Sequence, residues 1–254
     1  MNQRFSPSAI FLLLLMAVST SLASETAHPH WSYAGATGPS HWSELEAGYQ
    51  GCALGKNQSP IDIRDEAVHR AHLPDVEFNY LPSALRIIDN GHTVQVNYAP
   101  GSFITVGGER YDLVQFHFHH PSEEKINGHA SAMVAHLVHK NAAGKLAVVA
   151  VLLKSGDANA MLATLWSHLP EAKEKEVAPT GVNINVADML PARHAYYAFT
   201  GSLTTPPCSE DVRWLVLREP TAVSASQIAR FAKRYPMNAR PTQPINGREI
   251  KTNG

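Results

Sequence analysis

The chain has 254 residues, of which 22 are acidic and 21 are basic, so its formal net charge is −1 at neutral pH. A near-neutral chain without a block of basic residues does not match a protein that binds nucleic acid through bulk electrostatics. The length suits one large domain or two small ones and is sufficient to bury a sizeable hydrophobic core.

The first 23 residues have the features of a secretory signal peptide. Arg4 supplies a positive charge, residues 9–18 form an apolar stretch too short to span a membrane, and Ser21 and Ala23 are small. We therefore expect a signal peptide over 1–23, cleavage after Ala23 and a mature domain over 24–254. An uncleaved anchor is the alternative, which the short apolar stretch disfavours. No later segment reaches membrane-spanning length, so we expect an exported, soluble product.

The only two cysteines, Cys52 and Cys208, lie far apart in the sequence. In an exported protein such a pair is expected to form a disulfide. The alternative is two buried free thiols.

The elements that follow are mostly strands. Residues 24–60 are rich in Gly, Pro, Ser and aromatic residues, which predicts a coil that wraps the body. Helical spacing is confined to 158–169 and 224–234, where Ser224 is a candidate N-cap with Gln227 three residues later. Many strands, few helices and no linker predict one mainly β (α+β) domain. Strand-like runs cover 76–80, 84–89, 92–98, 103–106, 113–119, 132–139, 146–153, 182–184, 195–199 and 212–217.

Three histidines have the spacing of a metal site. His117 and His119 are two residues apart in a predicted strand and so share one face, while Phe116 and Phe118 face the other side. His136 lies in the next apolar run, which an antiparallel pairing would place opposite them. Three histidines without a fourth protein ligand are typical of catalytic zinc. Because the chain has 14 histidines, a surface cluster or buried structural histidines are the alternatives.

Over about residues 30–250 the sequence resembles the α-class carbonic anhydrases of the bacterial, exported type. The resemblance implies a single domain on a large, twisted, mostly antiparallel sheet of about ten strands with short peripheral helices. It also implies reversible hydration of carbon dioxide to bicarbonate and a proton, through attack by zinc-bound hydroxide, in the periplasm or alternatively in the medium. The matching blocks are 30–33, 38–42, 58–63, 90–92, 115–123, 136–139, 203–208 and 238–244.

The same resemblance assigns roles to single residues. His92 matches the proton shuttle, Thr204 the threonine that accepts a hydrogen bond from the zinc hydroxide, and Glu123 the carboxylate that accepts the threonine proton. Taken alone, these residues would be a surface turn histidine, a turn threonine and a solvated loop charge. One Zn²⁺ per chain would be held by His117, His119 and His136.

The remaining positions of the implied cleft are apolar or water-ordering. Val138 lies two residues beyond His136 and so shares its strand face. The alternative for the apolar positions is core packing, which is compatible with lining a pocket. The implied pocket for carbon dioxide consists of Val138, Val148, Leu203, Trp214 and Thr205, and the positions that order water are Tyr33, Asn90 and Gln95.

The partners of the ligand histidines follow the family only in part. Gln115 matches the usual partner of the first ligand, and Asn238 has the position of the main-chain carbonyl that holds the second. The third ligand is usually held by a glutamate two residues earlier, which here is Val134, and the usual histidine after the Ser-Glu pair is here Glu124. Our hypothesis is that Glu124 supplies the missing carboxylate to His136. Water or a backbone carbonyl is the alternative.

The resemblance also implies that Cys52 and Cys208 are bonded. Relatives of this type are often homodimers, although no interface can be identified in the sequence. Two other functions are the alternatives: a binding module, as in relatives that lack the zinc ligands, and a periplasmic metal-handling protein. His28, His30, His69 and His72 are scattered rather than dense, which disfavours metal handling.

Overall fold

A computed structural model describes Met1 and residues 30–254. Apart from Met1, the expected signal peptide lies outside the described residues, as does His28. None of the helices in the described part is both long and apolar enough to cross a membrane.

A large twisted sheet organises the described part of the chain. Seventeen strands form a 12-stranded sheet and two small sheets of three and two strands. The strands are β1 Asp62–Ile63, β2 Val68–Arg70, β3 Val76–Asn79, β4 Ser83–Ala84, β5 Ile87–Asp89, β6 Val94–Asn97, β7 Phe103–Val106, β8 Glu109–His119, β9 Lys125–Ile126, β10 His129–Ala130, β11 Met133–Lys140, β12 Leu146–Ser155, β13 Asn183–Ile184, β14 Tyr196–Gly201, β15 Val212–Leu217, β16 Thr221–Val223 and β17 Ile250–Thr252.

The main sheet has the order β2-β17-β14-β15-β12-β11-β8-β6-β5, with β16 on β12, β7 on β8 and β3 on β7. Most pairs are antiparallel, and the parallel pairs of this sheet are β12–β15, β12–β16 and β17–β2. The mainly β fold with one large, mostly antiparallel sheet is thereby confirmed, with 12 strands rather than about ten.

The central strands are buried on both faces, as their sequences predict. Strands β11 and β12 are almost continuously buried, and β12 is also apolar from Leu146 to Leu153, which is typical of strands covered on both sides. In β8 the alternation places Phe116 and Phe118 in the larger apolar core, where they pack with Trp166, and leaves His117 and His119 on the other face. A smaller apolar cluster that includes Val134 and Trp214 covers that second face.

Four short helices lie at the periphery: α1 Trp42–Leu45, α2 Gly51–Leu54, α3 Ala160–Ser167 and α4 Ala225–Ala232. The predicted N-cap of α4 is confirmed, because the Ser224 hydroxyl accepts the Gln227 N–H and the Gln227 side chain accepts the Ser224 N–H. The Trp166 indole of α3 donates to the Gln227 carbonyl at 3.0 Å, so α3 and α4 pack together.

The structure adds elements that the sequence pattern did not predict. The segment expected to be coil contains α1, α2 and the 3₁₀ turns Gly35–Thr37 and Ala47–Tyr49. Strands β1, β2, β9, β10, β16 and β17 have two or three residues each, which is too short for a period of two to be recognised. Pairing with distant partners, and not local propensity, defines these strands.

The disulfide between Cys52 and Cys208 is present and closes a loop with a sequence separation of 156 residues. It joins α2 to the loop that follows β14. The expectation of a bonded pair is thereby confirmed, and within the described residues no free cysteine remains.

Candidate metal centre and cleft

Adjacent strands bring the three predicted ligands together. Strands β8 and β11 are antiparallel neighbours, and their register places His136 directly opposite His117 and Val134 opposite His119. One nitrogen from each of the three histidines can be chosen so that all lie within 4.8 Å of one another. The three histidines therefore form a single cluster, and it is the one group of this kind found in residues 30–254.

Each imidazole has an oxygen partner on one ring nitrogen. An oxygen acceptor requires that nitrogen to carry the proton, so the lone pair lies on the other nitrogen. The pairs are His117 Nδ1 with Gln115 Oε1 at 2.9 Å, His119 Nδ1 with the Asn238 carbonyl oxygen at 2.7 Å, and His136 Nε2 with Glu124 Oε1 at 2.9 Å.

The free nitrogens fit a metal ion. His119 Nε2 is buried and has no hydrogen-bond partner in the described structure, which is costly unless a ligand occupies the site. Burial and the neighbouring His136 lower the pKa of His117 to about 3 and that of His119 well below its usual range, so both rings are neutral, as metal ligands must be. A cluster of three imidazoles without a fourth side-chain ligand matches catalytic zinc.

His136 has a different electrostatic environment. Burial lowers the pKa of His136, but the charge and hydrogen bond of Glu124 and the charge of Glu123 outweigh burial and raise it overall. His136 Nδ1 lies 3.8 Å from Glu123 Oε2, so carboxylates lie on both sides of this ring.

Glu123 is a buried carboxylate and not the solvated loop charge that it would be in isolation. Its side chain is inaccessible, its Oε1 accepts the Arg240 backbone N–H at 2.8 Å, and its Oε2 lies 3.5 Å from His119 Nε2. Burial raises the pKa of Glu123 to about 7, while His136, the Thr204 hydroxyl and the Arg240 N–H oppose the rise and the Glu124 charge adds to it. Thr204 is also buried, and the Glu123 Oε2 atom has no hydrogen-bond partner in the described structure.

His92 lies in a tight turn just before β6. The Asn90 side-chain oxygen accepts the N–H groups of His92 and Thr93 at 3.0 and 2.9 Å, and Gly91 has the positive φ of 85° that such a turn requires. The His92 ring stacks on Trp31 with centroids 3.6 Å apart and planes 4° apart.

This environment changes the expected chemistry of His92. Burial, followed by the charges of His30 and Lys173, lowers the pKa of His92 to about 4, against a weaker opposing effect of Asp89. This value lies well below that of an unperturbed imidazole, which is near 6.5.

A chain of side-chain amides lines the cleft beside this turn. Asn90 Nδ2 donates to Gln95 Oε1 at 3.3 Å, Gln95 Nε2 donates to Asn97 Oδ1 at 2.7 Å, and Asn97 Nδ2 donates to Glu176 at 2.7 Å. Asn97 and Glu176 were not predicted. The position of Asn97, two residues after Gln95 on the same strand face, could have indicated it.

The phenol of Tyr33 remains protonated near the site. Burial raises the pKa of Tyr33 well above its usual value, and the negative charge of Glu123 raises it further. Its ring contacts Trp31 and Trp42 edge-on.

The expected apolar positions lie side by side on three strands. Val138 of β11 is opposite Val148 of β12, and Val148 is opposite Trp214 of β15. The Trp214 ring lies 4.9 Å from the His136 ring, so this row begins beside the ligands. Leu203 packs on the same cluster. Thr205 is half-buried, and its carbonyl accepts the Cys208 N–H at 2.8 Å.

Asn238 links more parts of the site than was predicted. Besides its carbonyl contact with His119, its side-chain amide donates to the carbonyls of His92 and Phe118, both at 3.0 Å, and its side-chain oxygen accepts the His120 N–H at 2.8 Å. Arg240, which the sequence analysis did not single out, belongs to the same 238–244 block.

Three of the scattered histidines, His30, His69 and His72, lie within the described residues. The His30 ring is 5.1 Å from the His92 ring, whereas His69 and His72 are exposed.

Comparisons with known proteins identify the family. A family model described as eukaryotic-type carbonic anhydrase matches residues 37–254. A carbonic anhydrase from Pectobacterium carotovorum is 43% identical over 240 residues, covering 94% of this chain and 97% of the relative. One from a Nostoc species is 40% identical over 248 residues, covering 94% of each.

A solved structure agrees with these sequence relatives. The α-carbonic anhydrase of Thermovibrio ammonificans, solved with the inhibitor sulfanilamide, has a TM-score of 0.86 and 40% identity, covering 89% of this chain and all of that one. The chain therefore belongs to the α-carbonic anhydrase family of enzymes.

Proposed function

We propose that this chain catalyses the reversible hydration of carbon dioxide to bicarbonate and a proton, with one Zn²⁺ held by His117, His119 and His136. The observation that carries the proposal is the convergence of three imidazole nitrogens beside an apolar wall. Bound zinc would act as a Lewis acid that lets water lose a proton near neutral pH.

Thr204 and Glu123 would orient the attacking water. Glu123 has no solvent exposure at its side chain and is held by the Arg240 N–H, so it presents a fixed acceptor to the Thr204 hydroxyl. A threonine that donates to Glu123 keeps its oxygen lone pairs free to accept a hydrogen bond from the reacting water. This selects one direction of attack, which is a contribution of positioning.

Carbon dioxide is uncharged and would be bound by the apolar wall. Val138, Val148 and Trp214 are in register across three strands next to His136, and Leu203 adjoins them. Such a recess allows the substrate to approach without displacing strongly held water. Thr205 would contribute to its edge.

His92 would carry the released proton to buffer. In the stacked orientation its pKa of about 4 is too low for efficient acceptance from a group with a pKa near 7. We infer that the ring must leave Trp31 to take up the proton and that the stacked position favours its release. Tyr33, Asn90 and Gln95 would order the water between His92 and the metal.

Export is part of the proposal. The Cys52–Cys208 disulfide requires an oxidising compartment, and this agrees with a cleaved signal peptide over 1–23 and a periplasmic location, or secretion as the alternative. Homodimerisation remains a prediction.

The test is stopped-flow hydration of carbon dioxide by the purified protein before and after chelation, with zinc added back and the metal content measured. We expect stoichiometric zinc, loss of hydration on chelation and recovery with zinc. His119→Ala should abolish tight zinc binding and hydration, because it removes a ligand nitrogen with no replacement. Zinc without hydration would favour metal handling, and neither zinc nor hydration would favour a binding module.

A further inference from the structure

Glu124 is a fully buried carboxylate in the loop between β8 and β9 that the proposed chemistry does not use directly. Burying a carboxylate is costly unless it is paired and hydrogen-bonded. Its Oε1 lies 2.9 Å from His136 Nε2, and in the described structure its other oxygen has no hydrogen-bond partner. The single contact of this buried charge is therefore with one of the three clustered histidines.

We propose that Glu124 is the positioning residue for His136, supplied from a loop because the ligand strand offers no polar side chain there. This inference rests on the proposed zinc site. The Glu124 carboxylate accepts a hydrogen bond from the Nε2–H group of His136. This leaves the Nδ1 lone pair free for the metal and makes Nδ1 a stronger electron-pair donor to it. Glu124 does not touch the substrate.

The ligand strand itself cannot provide this partner. Side chains two residues apart share a face, so the neighbours of His136 on its own face of β11 are Val134 and Val138. Val134 is fully buried in the apolar cluster that includes Ile61 and Ile63. Position 134 has the right face and distance along the strand for a carboxylate, but here it contributes only packing.

The loop backbone fixes where the Glu124 carboxylate lies. The Ser122 hydroxyl donates to the Glu124 carbonyl at 2.7 Å and accepts the Ser131 N–H at 2.8 Å. The Lys125 N–H donates to the Ile61 carbonyl at 3.2 Å, which joins the next residue to β1. Contacts on both sides of Glu124 therefore hold the carboxylate in place before any metal binds.

The two adjacent carboxylates of this loop, Glu123 and Glu124, have different contacts and therefore different proposed roles. Glu123 contacts the Arg240 N–H, while Glu124 contacts the His136 ring on the side away from the free Nδ1. A substitution at 124 should therefore affect how the metal is held, whereas a substitution at 123 should affect how the reacting water is oriented.

The experiment measures zinc affinity and zinc release by competition with a chromophoric chelator. We expect Glu124→Ala to weaken zinc binding by about 10–100-fold, mainly through faster release, as is typical for loss of such a partner. Glu124→Gln should have a smaller effect, because an amide oxygen can still accept the ring proton without the charge. Glu249→Gln, which removes an exposed partner of Lys251, is the control and should leave affinity unchanged.

A double variant tests the geometry directly. Val134→Glu combined with Glu124→Gln moves the carboxylate to the strand position on the same face as His136, and we expect it to bind zinc more tightly than Glu124→Gln alone. Urea unfolding of each metal-free variant establishes that it is folded. Should Glu124→Ala fail to fold, Glu124→Gln and the double variant still decide the question.

Two outcomes would overturn the inference: folded Glu124→Ala and Glu124→Gln variants that bind and release zinc like the wild type, or a folded double variant that binds zinc no more tightly than Glu124→Gln alone. Failure of the proposed function is distinguishable, because the wild-type protein itself would then lack stoichiometric zinc.

Discussion

The His92 ring lies flat against Trp31 and is half-buried, and this burial disfavours the charged form of the ring near neutral pH. An imidazole with so low a pKa accepts a proton poorly, but once protonated it releases the proton to buffer readily. The stacking partner therefore influences which step of proton transfer His92 favours.

Removing the stacking partner should change the titration of His92. We expect Trp31→Ala to raise its pKa from about 4 toward 6.5, since burial is the largest cause of the depression. The measurement is NMR titration of the His92 ring proton. Lys173→Met is the matched comparison for charge alone and should give a smaller rise. A Trp31→Ala variant whose His92 still titrates near 4 would contradict the role given to stacking.

At the level of residues, the sequence predicted the positions nearest the ligands. The contacts of Gln115, Asn238 and Glu124 with the ligand histidines all occur. Arg240 and Glu176 could not be placed, because each reaches the site from a loop far along the chain. The low pKa of His92 depends on the ring of Trp31, which lies 61 residues earlier in the sequence. The residues of the Asn-Gly-His turn therefore could not have predicted it.

The loop that carries Thr204 has no regular secondary structure, and hydrogen bonds and a disulfide hold its conformation. Leu203 N–H donates to the Ser209 carbonyl at 2.9 Å, and Gln58 Nε2 donates to the Cys208 carbonyl at 3.0 Å. The disulfide ties the same loop to α2. Loss of the disulfide should therefore loosen the segment that positions Thr204.

A Cys52→Ala/Cys208→Ala variant should lose both stability and activity. Loss of loop-closure entropy alone predicts a decrease of about 5 kcal/mol in the free energy of unfolding. Urea unfolding measures this change. Hydration of carbon dioxide, measured without urea where the variant is still folded, should also decrease. A folded variant with full activity would show that backbone hydrogen bonds alone hold the loop.

The elements of the fold differ in how far their sequences define them. Strands β8, β11 and β12 are long and either alternate or are continuously apolar, so their extent was predicted within a few residues. The two-residue strands β1, β9 and β10 have no pattern of their own and exist because they pair with one another. The helical turns in the segment before residue 60 were missed because they too are short and have no sequence pattern of their own.

For the whole molecule, buried neutral histidines make stability depend on pH. His139 is fully buried, its Nε2 lies 2.8 Å from the Tyr80 hydroxyl, and burial lowers its pKa to about 4. His117 likewise has a pKa of about 3. An unfolded histidine titrates near pH 6.5, so between these values the unfolded chain binds protons that the folded chain does not.

The raised pKa values of Glu123 and His136 act in the opposite direction, but four histidines have lowered values: His92, His117, His119 and His139. The metal-free protein should therefore become less stable as the pH falls from about 6.5. Each such histidine lowers the free energy of unfolding by about 1.4 kcal/mol for each pH unit below 6.5. For His139 this decrease is complete at about pH 4, where the folded state also binds the proton. Urea unfolding at a series of pH values measures the slope. His139→Gln removes one of these groups and should give a shallower slope, whereas an identical slope would contradict this account.

The contacts of residues 238 and 240 have a consequence for biogenesis. The Asn238 carbonyl holds His119, the Asn238 amide holds the His92 turn, and the Arg240 N–H holds Glu123, so a segment close to the C-terminus completes a pocket whose imidazoles come from the middle of the chain. A nascent polypeptide still attached to the ribosome has the imidazoles but not these supports. If zinc binds as proposed, we expect loading to follow synthesis of these residues, and we expect a fragment that stops before Asn238 to be a poor zinc acceptor.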